Sequence, residues 1–160
     1  PKAIGVVQGK SYEEVVECYN YMNENADMIA ISFDYSFFED VFPDEKTKYH
    51  KWVKGRRWLL NRMEEDNVIN YDKPHHLLGC GLAREFSEYK DKDYIYSVDT
   101  SNPVVAGLFG LRYQAYEDGY GLDDKPSQKL FTLINSEVSD EQLADIIYNI
   151  TKFKGNFLNV

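Results

Sequence analysis

Four short apolar segments, each followed by a stretch with helical periodicity, are the strongest constraint on how this chain can fold. The first is AIGVVQG, which ends at Gly9, and the second is MIAISFD, from Met28 to Asp34. The third is HHLLGCG and the fourth is YIYSVDT. Strands that alternate with helices predict parallel βα units. Because the apolar residues are continuous rather than alternating, we expect both faces of the sheet to be covered.

The segments that follow these strands carry the start signals and the apolar spacing of helices. Three helix starts are predicted, at Ser11 with Glu14, at Asn102 as an N-cap before Pro103, and at Ser139 with Gln142. The apolar stripe of the helix in TKYHKWVKGRRWLLNRMEED is predicted to be Tyr49, Trp52, Val53, Leu59, Leu60 and Met63. The buried face of the last helix is predicted to be Leu143, Ile146, Ile147, Ile150 and Phe153.

Two α/β architectures agree with this order of elements. One is an open, doubly wound parallel sheet. The other is a TIM-barrel-like half-barrel of four βα units, because a whole barrel needs about 250 residues and the chain has 160. We expect one domain over 1–160, with βα units in 1–110, a polar loop in 111–126 and C-terminal helices in 127–160, including one over 127–135. A half-barrel leaves two open strand edges, which predicts association as a homodimer or with a missing half-barrel partner.

Charge and cysteine content limit the possible classes of function. The formal net charge of −9 gives the chain no general electrostatic attraction for nucleic acid. A basic cluster with interleaved aromatic residues, from Lys46 to Arg62, could contact a nucleic-acid backbone or form the solvated face of an amphipathic helix. The two cysteines have no metal-ligand spacing, so the sequence offers no case for a zinc site or a disulfide framework. For the leading interpretation we expect no metal and no cofactor. With no apolar run of about 18 residues, we expect a soluble, cytoplasmic protein that binds no membrane.

Polar and glycine residues follow each of the four predicted strands directly. In both architectures the carboxyl ends of parallel strands meet at one edge of the sheet, where ligands bind. We therefore expect these residues to converge on one face. The candidate site residues are Gln8, Gly9, Ser32, Phe33, Asp34, Gly79, Cys80, Gly81 and Asp99.

Two carboxylates in this set could carry chemistry. Asp99 precedes a predicted helix N-terminus, whose positive end stabilises an ionised carboxylate. Such a group suits a nucleophile at a sugar carbon, or a stabiliser of an oxocarbenium-like transition state, and it could equally only organise the turn. Asp34 could join Asp99 in holding Mg²⁺ or in acid–base catalysis, or could simply cap its loop.

The other strand-end residues suggest binding rather than reaction. The amide of Gln8 could recognise a purine-like edge or bond to local backbone. Gly79 and Gly81 allow a ligand close to the backbone, or form a tight turn around Cys80, which we expect to be a small buried residue. His75 and His76 are predicted at the start of their strand, away from the site, with structural roles.

In their order, the strand ends resemble the tRNA-guanine transglycosylases and related enzymes that insert 7-deazaguanine bases, such as queuine, into nucleic acid. IGVVQG resembles the family's strand that ends in Gln-Gly, PHHLLGCG its glycine-rich strand, and IYSVDTSNP the strand that carries its aspartate. MIAISFDYS stands where the family has a strand leading to a Gly-Gly loop, which is Ser32 and Phe33 here. The resemblance covers roughly residues 4–110.

The resemblance implies the second half of a TIM barrel and a pentosyltransferase activity. Asp99 would attack the anomeric carbon of the sugar and displace guanine, and Gln8 would recognise the base. The partners would be a purine or 7-deazapurine base and a tRNA or DNA. Two other functions remain open: a noncatalytic base-binding or partner subunit, and a carboxylate-based enzyme that uses Mg²⁺ at Asp34 and Asp99.

Overall fold

The computed structural model describes residues 2–124 and 137–157, which fall in two compact units. The first, here called the sheet unit, comprises Pro1–Gly79 and Lys92–Asp99. The second, the helical unit, comprises Cys80–Asp91 and Thr100–Val160. The helix predicted over 127–135 lies outside the described residues. Among the described residues, no helix has the length and apolar character needed to cross a membrane.

The sheet unit contains a parallel sheet of four strands, in agreement with the predicted α/β class. The strands are β1 (Ile4–Val6), β2 (Met28–Ser32), β3 (His75–Leu78) and β4 (Ile95–Val98). They lie in the order β1-β2-β3-β4, and all neighbouring pairs are parallel. Their carboxyl ends therefore meet at one edge, as the strand-end argument requires. Successive strands are neighbours in this order. That is the case in a barrel, and also on one side of the switch point of a doubly wound sheet.

The helices of the sheet unit pack against the sheet and against one another. They are α1 (Tyr12–Asn25), α2 (Phe38–Val41) and α3 (Lys48–Glu65). The core contains the fully buried Ile29, Ile31 and Leu77 from the strands and Leu59, Leu60 and Met63 from α3. The expectation that both faces are covered is wrong at β1, where Ile4 is 58% and Val6 38% exposed. This strand lies at the end of the strand order, so its other face lacks the cover that inner strands receive.

The start of α1 follows the predicted capping box, and α3 has a cap that the sequence analysis did not identify. The Ser11 hydroxyl accepts a hydrogen bond from the backbone nitrogen of Glu14, whose own carboxylate accepts from the Lys10 backbone. Thr47 caps α3 in the same way through His50. These bonds satisfy amide groups that the first helical turn leaves without partners.

Three elements of the helical unit that precede its last helix differ from the sequence prediction. A 3₁₀ helix, Ala83–Tyr89, stands where an α-helix was expected. Asn102 is the first residue of α4 (Asn102–Leu108), and Ser101 takes the N-cap position. The predicted polar loop 111–126 contains a hairpin of β5 (Gln114–Tyr116) and β6 (Gly119–Gly121). Its strands are only three residues long, too short for an alternating pattern to be recognised in sequence.

The last helix, α5 (Asp140–Phe157), begins with the predicted capping box between Ser139 and Gln142. Its predicted buried face is partly wrong. Phe153 is buried, but Leu143 is 50% and Ile147 56% exposed. Two polar residues, Asn149 and Asn156, occupy the buried side instead.

These two asparagines are buried because each bonds to backbone groups of a neighbouring segment. Asn149 accepts from the backbone nitrogen of Tyr113 and donates to the Leu111 carbonyl, both at 2.8 Å. Asn156 bonds the nitrogen and the carbonyl of Tyr120 in the hairpin. Buried amides are stable only with such partners, so the two side chains determine which face of α5 points inward.

His75 is a fully buried, neutral residue of the sheet unit. Its Nδ1 donates to the Lys73 carbonyl at 2.8 Å, and its Nε2 accepts from the Tyr19 hydroxyl at 2.9 Å. That hydroxyl in turn accepts from the backbone nitrogen of Asn70. Burial lowers the pKa of His75 from 6.5 to about 4, against the opposing effect of the bond to Lys73.

We predict that His75 makes the sheet unit less stable in acid. Its pKa is lower when folded than when unfolded, so its contribution is complete above pH 6.5 and is lost as the pH falls towards about 4. The loss amounts to about 3 kcal/mol of unfolding free energy. Denaturant titrations should show a steeper decline over this range for the wild type than for His75→Asn, whose amide keeps the bond to Lys73. Parallel declines in the two proteins would contradict this assignment.

Candidate functional site

Four predicted site residues line one open pocket of about 580 Å³ at the carboxyl ends of β1 and β2. These are Gln8, Gly9, Ser32 and Asp34. The other lining residues, which the sequence analysis did not identify as site residues, are Lys10, Glu14, Tyr35 and Ser36. The pocket therefore combines amide, hydroxyl, carboxylate and ammonium groups.

Tyr35 joins the two strand ends under this pocket. Its buried hydroxyl donates to the Val7 carbonyl at 2.8 Å and accepts from the backbone nitrogen of Ser32 at 3.4 Å. Burial raises the pKa of Tyr35, so the phenol remains protonated and keeps its donor. The Ser32 hydroxyl donates to Asp34 at 2.5 Å, which orients that exposed carboxylate. The floor of the pocket is thus held by hydrogen bonds.

Asp99 follows β4 and presents an oriented carboxylate. Its side chain is 61% exposed. One oxygen, Oδ1, accepts from the backbone nitrogen of Gly79 at 3.1 Å and from Nε2 of His76 at 3.0 Å. Within the part of the chain that the structure describes, Oδ2 accepts no hydrogen bond. One oxygen is therefore anchored, while the other is available to a ligand.

The turn after β3 is fixed by the buried side chain of Arg56 in α3. Its guanidinium, fully buried, donates to the carbonyls of Leu78 at 2.8 Å and Gly79 at 3.1 Å. Gly79 has a φ of +65°, and a Cβ there would lie 2.6 Å from the Phe33 ring. Arg56 and Phe33 thus hold the peptide whose N–H reaches Asp99. Sequence analysis had assigned Arg56 only to a basic cluster.

His76 was also missed, because both histidines were expected to lie away from the site. That expectation is wrong for His76. Its Nε2 meets Asp99, and its Nδ1 lies 2.8 Å from the hydroxyl of Ser97 on β4. The register between β3 and β4 shifts at His75/His76, so that His76 stands opposite Ser97. The apolar pattern of the sequence gives no sign of such an irregularity in pairing. The available signal was the short length of β3, which places His76 only three residues before Gly79 and so near the end of the strand.

The remaining predicted residues have separate positions. Cys80 and Gly81 belong to the helical unit, where both are buried. Gln8 follows β1 and Asp99 follows β4, at opposite sides of the sheet, about 14 Å apart by three strand spacings. No group of three or more His, Cys, Asp or Glu residues that could hold a metal ion occurs in 2–124 or 137–157.

Much of the basic cluster on α3 is engaged within the sheet unit. Lys48 pairs with Glu39 at 3.0 Å, and Lys54 pairs with Glu45. Arg62 lies 4.0 Å from the centre of the Tyr12 ring and 3.7 Å from Asp66. With Arg56 buried as well, these contacts favour the interpretation of a solvated helix face over that of a nucleic-acid surface.

Sequence comparison finds no match to this chain among the models of known protein families or among curated proteins.

We predict that Gly79→Ala lowers stability more than Gly110→Ala. Both glycines have φ values near +65°, but the new methyl group would meet Phe33 only at position 79, since Gly110 has no atom within 4 Å of that point. The strain at a positive φ costs about 1 kcal/mol at either site, and the clash adds about 1–3 kcal/mol at Gly79. Denaturant titration of the two variants measures the difference. Equal losses would show that Phe33 does not confine this turn.

Proposed function

We propose that this chain is a transglycosylase-like protein that exchanges guanine for a 7-deazaguanine-type base in nucleic acid. Asp99 is the nucleophile. The observation that carries this proposal is the asymmetry of its carboxylate, with Oδ1 held by two donors and Oδ2 open on a side chain that is 61% exposed. A carboxylate that is oriented but accessible is what covalent catalysis at a sugar carbon requires.

In the reaction, Oδ2 of Asp99 forms a bond to the anomeric carbon as the bond to guanine breaks. Guanine leaves with the electron pair of that bond and takes up a proton. The incoming base gives up the equivalent proton, attacks the same carbon and releases the carboxylate. Two inversions at one carbon return the original configuration, as in retaining glycosidases. The ionised Asp99 also stabilises the positive charge that develops on the sugar.

The base would occupy the pocket at the ends of β1 and β2. The Gln8 amide offers both donors and an acceptor to a purine edge, and Asp34 offers an acceptor to ring or amino N–H groups. The ends of β1 and β4 lie ~14 Å apart, a distance that a base bound at Gln8 and its attached sugar would span to reach Asp99. Phe33, beside Gly79, supplies an aromatic surface near this path.

We further propose that the sheet unit is half of a TIM-like barrel. The parallel order β1-β2-β3-β4 supports this, since successive strands of a barrel are neighbours. The exposed Ile4 and Val6 of β1 support an additional partner at the open edge. This partner is a second copy of the chain or a missing half-barrel, and the tRNA or DNA substrate would bind to the assembly in the cytoplasm.

A noncatalytic base-binding protein is the second candidate. The pocket at β1 and β2 does not include Asp99 among its lining residues, so a base could bind there without any reaction. This function predicts base binding that survives Asp99→Asn, with no exchange by the wild type.

We predict that Asp99→Asn lowers base exchange by roughly 10³-fold or more, because the neutral amide cannot act as the nucleophile. Release of labelled guanine from tRNA or DNA in the presence of a 7-deazaguanine measures the exchange. Asp34→Asn is the comparison variant, since it removes a carboxylate of the same sheet edge that is proposed to contact the base but not to react. It should raise KM for the base and retain most of kcat, whereas an Mg²⁺ site would require both carboxylates for turnover. Exchange that persists in a correctly folded Asp99→Asn protein would refute the proposal.

We predict that the chain self-associates at micromolar concentration when no other partner is present. Light scattering should give at least a dimer, and Ile4→Lys with Val6→Lys should shift the protein to monomer. Leu143→Lys on α5 is the control, because this residue is exposed to a similar extent, 50% against 58% for Ile4. A wild-type monomer would favour an open doubly wound sheet over a half-barrel.

A further inference from the structure

We infer that His76 is a positioning residue that, together with Ser97, selects which oxygen of Asp99 reacts. Three side chains form a continuous series, in which the Ser97 hydroxyl contacts Nδ1 of His76 and Nε2 of His76 contacts Oδ1 of Asp99. The effect on kcat rests on the proposed function. The positions of the protons on the ring nitrogens of His76 do not.

The three residue types are those of a hydrolytic triad, but their exposure is in the opposite order. In a Ser-His-Asp triad the aspartate is buried and the serine faces the substrate. Here the Asp99 side chain is 61% exposed, His76 only 17%, and Ser97 is a half-buried residue within β4. The open end of the series is therefore the carboxylate. Ser97 and His76 are less exposed than Asp99 and are linked to it by hydrogen bonds. The geometry therefore points to Asp99, rather than Ser97, as the reacting group.

The acceptor character of a carboxylate determines the proton positions. Because ionised Asp99 can only accept, Nε2 of His76 must carry a proton, and Nδ1 of the neutral ring then accepts from the Ser97 hydroxyl. The preceding residue has the reverse arrangement. His75 donates from Nδ1 to the Lys73 carbonyl and accepts at Nε2 from Tyr19. Two consecutive histidines on one strand thus hold opposite tautomers.

This arrangement affects both halves of the exchange. Two donors on Oδ1, from His76 and Gly79, leave the lone pairs of Oδ2 free for bond formation. When the glycosyl ester forms, Oδ1 becomes its carbonyl oxygen and keeps both donors. When the incoming base displaces the ester, the same donors stabilise the returning negative charge. Loss of the His76 donor should therefore lower kcat, while KM for the base stays nearly constant because the pocket lies at β1 and β2.

Nitrogen-15 NMR of the histidine side chains in the 160-residue chain tests the proton positions without any activity. At neutral pH the expected result is the Nε2–H tautomer for His76 and the Nδ1–H tautomer for His75, which is the internal control. A slowly exchanging Nε2–H proton of His76 should be visible in the wild type and lost in Asp99→Ala. An Nδ1–H tautomer at His76, or an Nε2–H proton that is indifferent to Asp99→Ala, would overturn the inference.

Kinetics with paired variants test the consequence. His76→Leu should reduce kcat by roughly 10²-fold or more through loss of one donor to the carboxylate, and His76→Gln, whose amide can donate to Oδ1, should recover part of this loss. A purely structural role predicts equal losses in both variants, or a change in KM instead. If exchange is insensitive to Asp99→Asn, the proposed function fails, and the tautomer measurement still decides whether His76 positions Asp99.

Discussion

The buried guanidinium of Arg56 is the contact on which the geometry of the candidate site depends. A buried cation requires acceptors, and it finds them in the carbonyls of Leu78 and Gly79 at the end of β3. These bonds, with the Phe33 ring, confine Gly79 to a backbone conformation that directs its N–H to Asp99. A residue of helix α3 therefore sets the position of a carboxylate that follows β4, although the two are 43 residues apart in sequence.

The chemistry proposed for Asp99 depends on how hydrogen bonds are distributed between the two oxygens of its carboxylate. His76 and Gly79 share Oδ1, and the exposed Oδ2 remains for a ligand. The pocket that Gln8 lines is held by a different residue, Tyr35, whose hydroxyl links the ends of β1 and β2. In the proposed function, the nucleophile and the side chain that recognises the base would therefore lie at opposite sides of one sheet.

Local patterns in the sequence predicted the parallel sheet, the capping boxes and the carboxyl-end positions of Gln8, Ser32 and Asp99, because each depends on residues close in the chain. They could not predict His76 or Arg56, whose roles arise from a register shift and from contacts across the sheet unit. The inward asparagines of α5 were missed for a related reason. Apolar spacing identifies a buried face only where apolar residues occupy it, and here backbone partners made polar burial favourable.

The most direct test of the account is to locate the covalent bond between sugar and protein. The chain, with whatever partner it requires for exchange, would be incubated with its nucleic-acid substrate, denatured in acid, digested and examined by mass spectrometry. We predict that the peptide containing Asp99 carries the added mass of a glycosyl group, and that the adduct is absent in Asp99→Asn. An adduct on Asp34 or another residue, or exchange that proceeds with no adduct on Asp99, would contradict the assignment of the nucleophile.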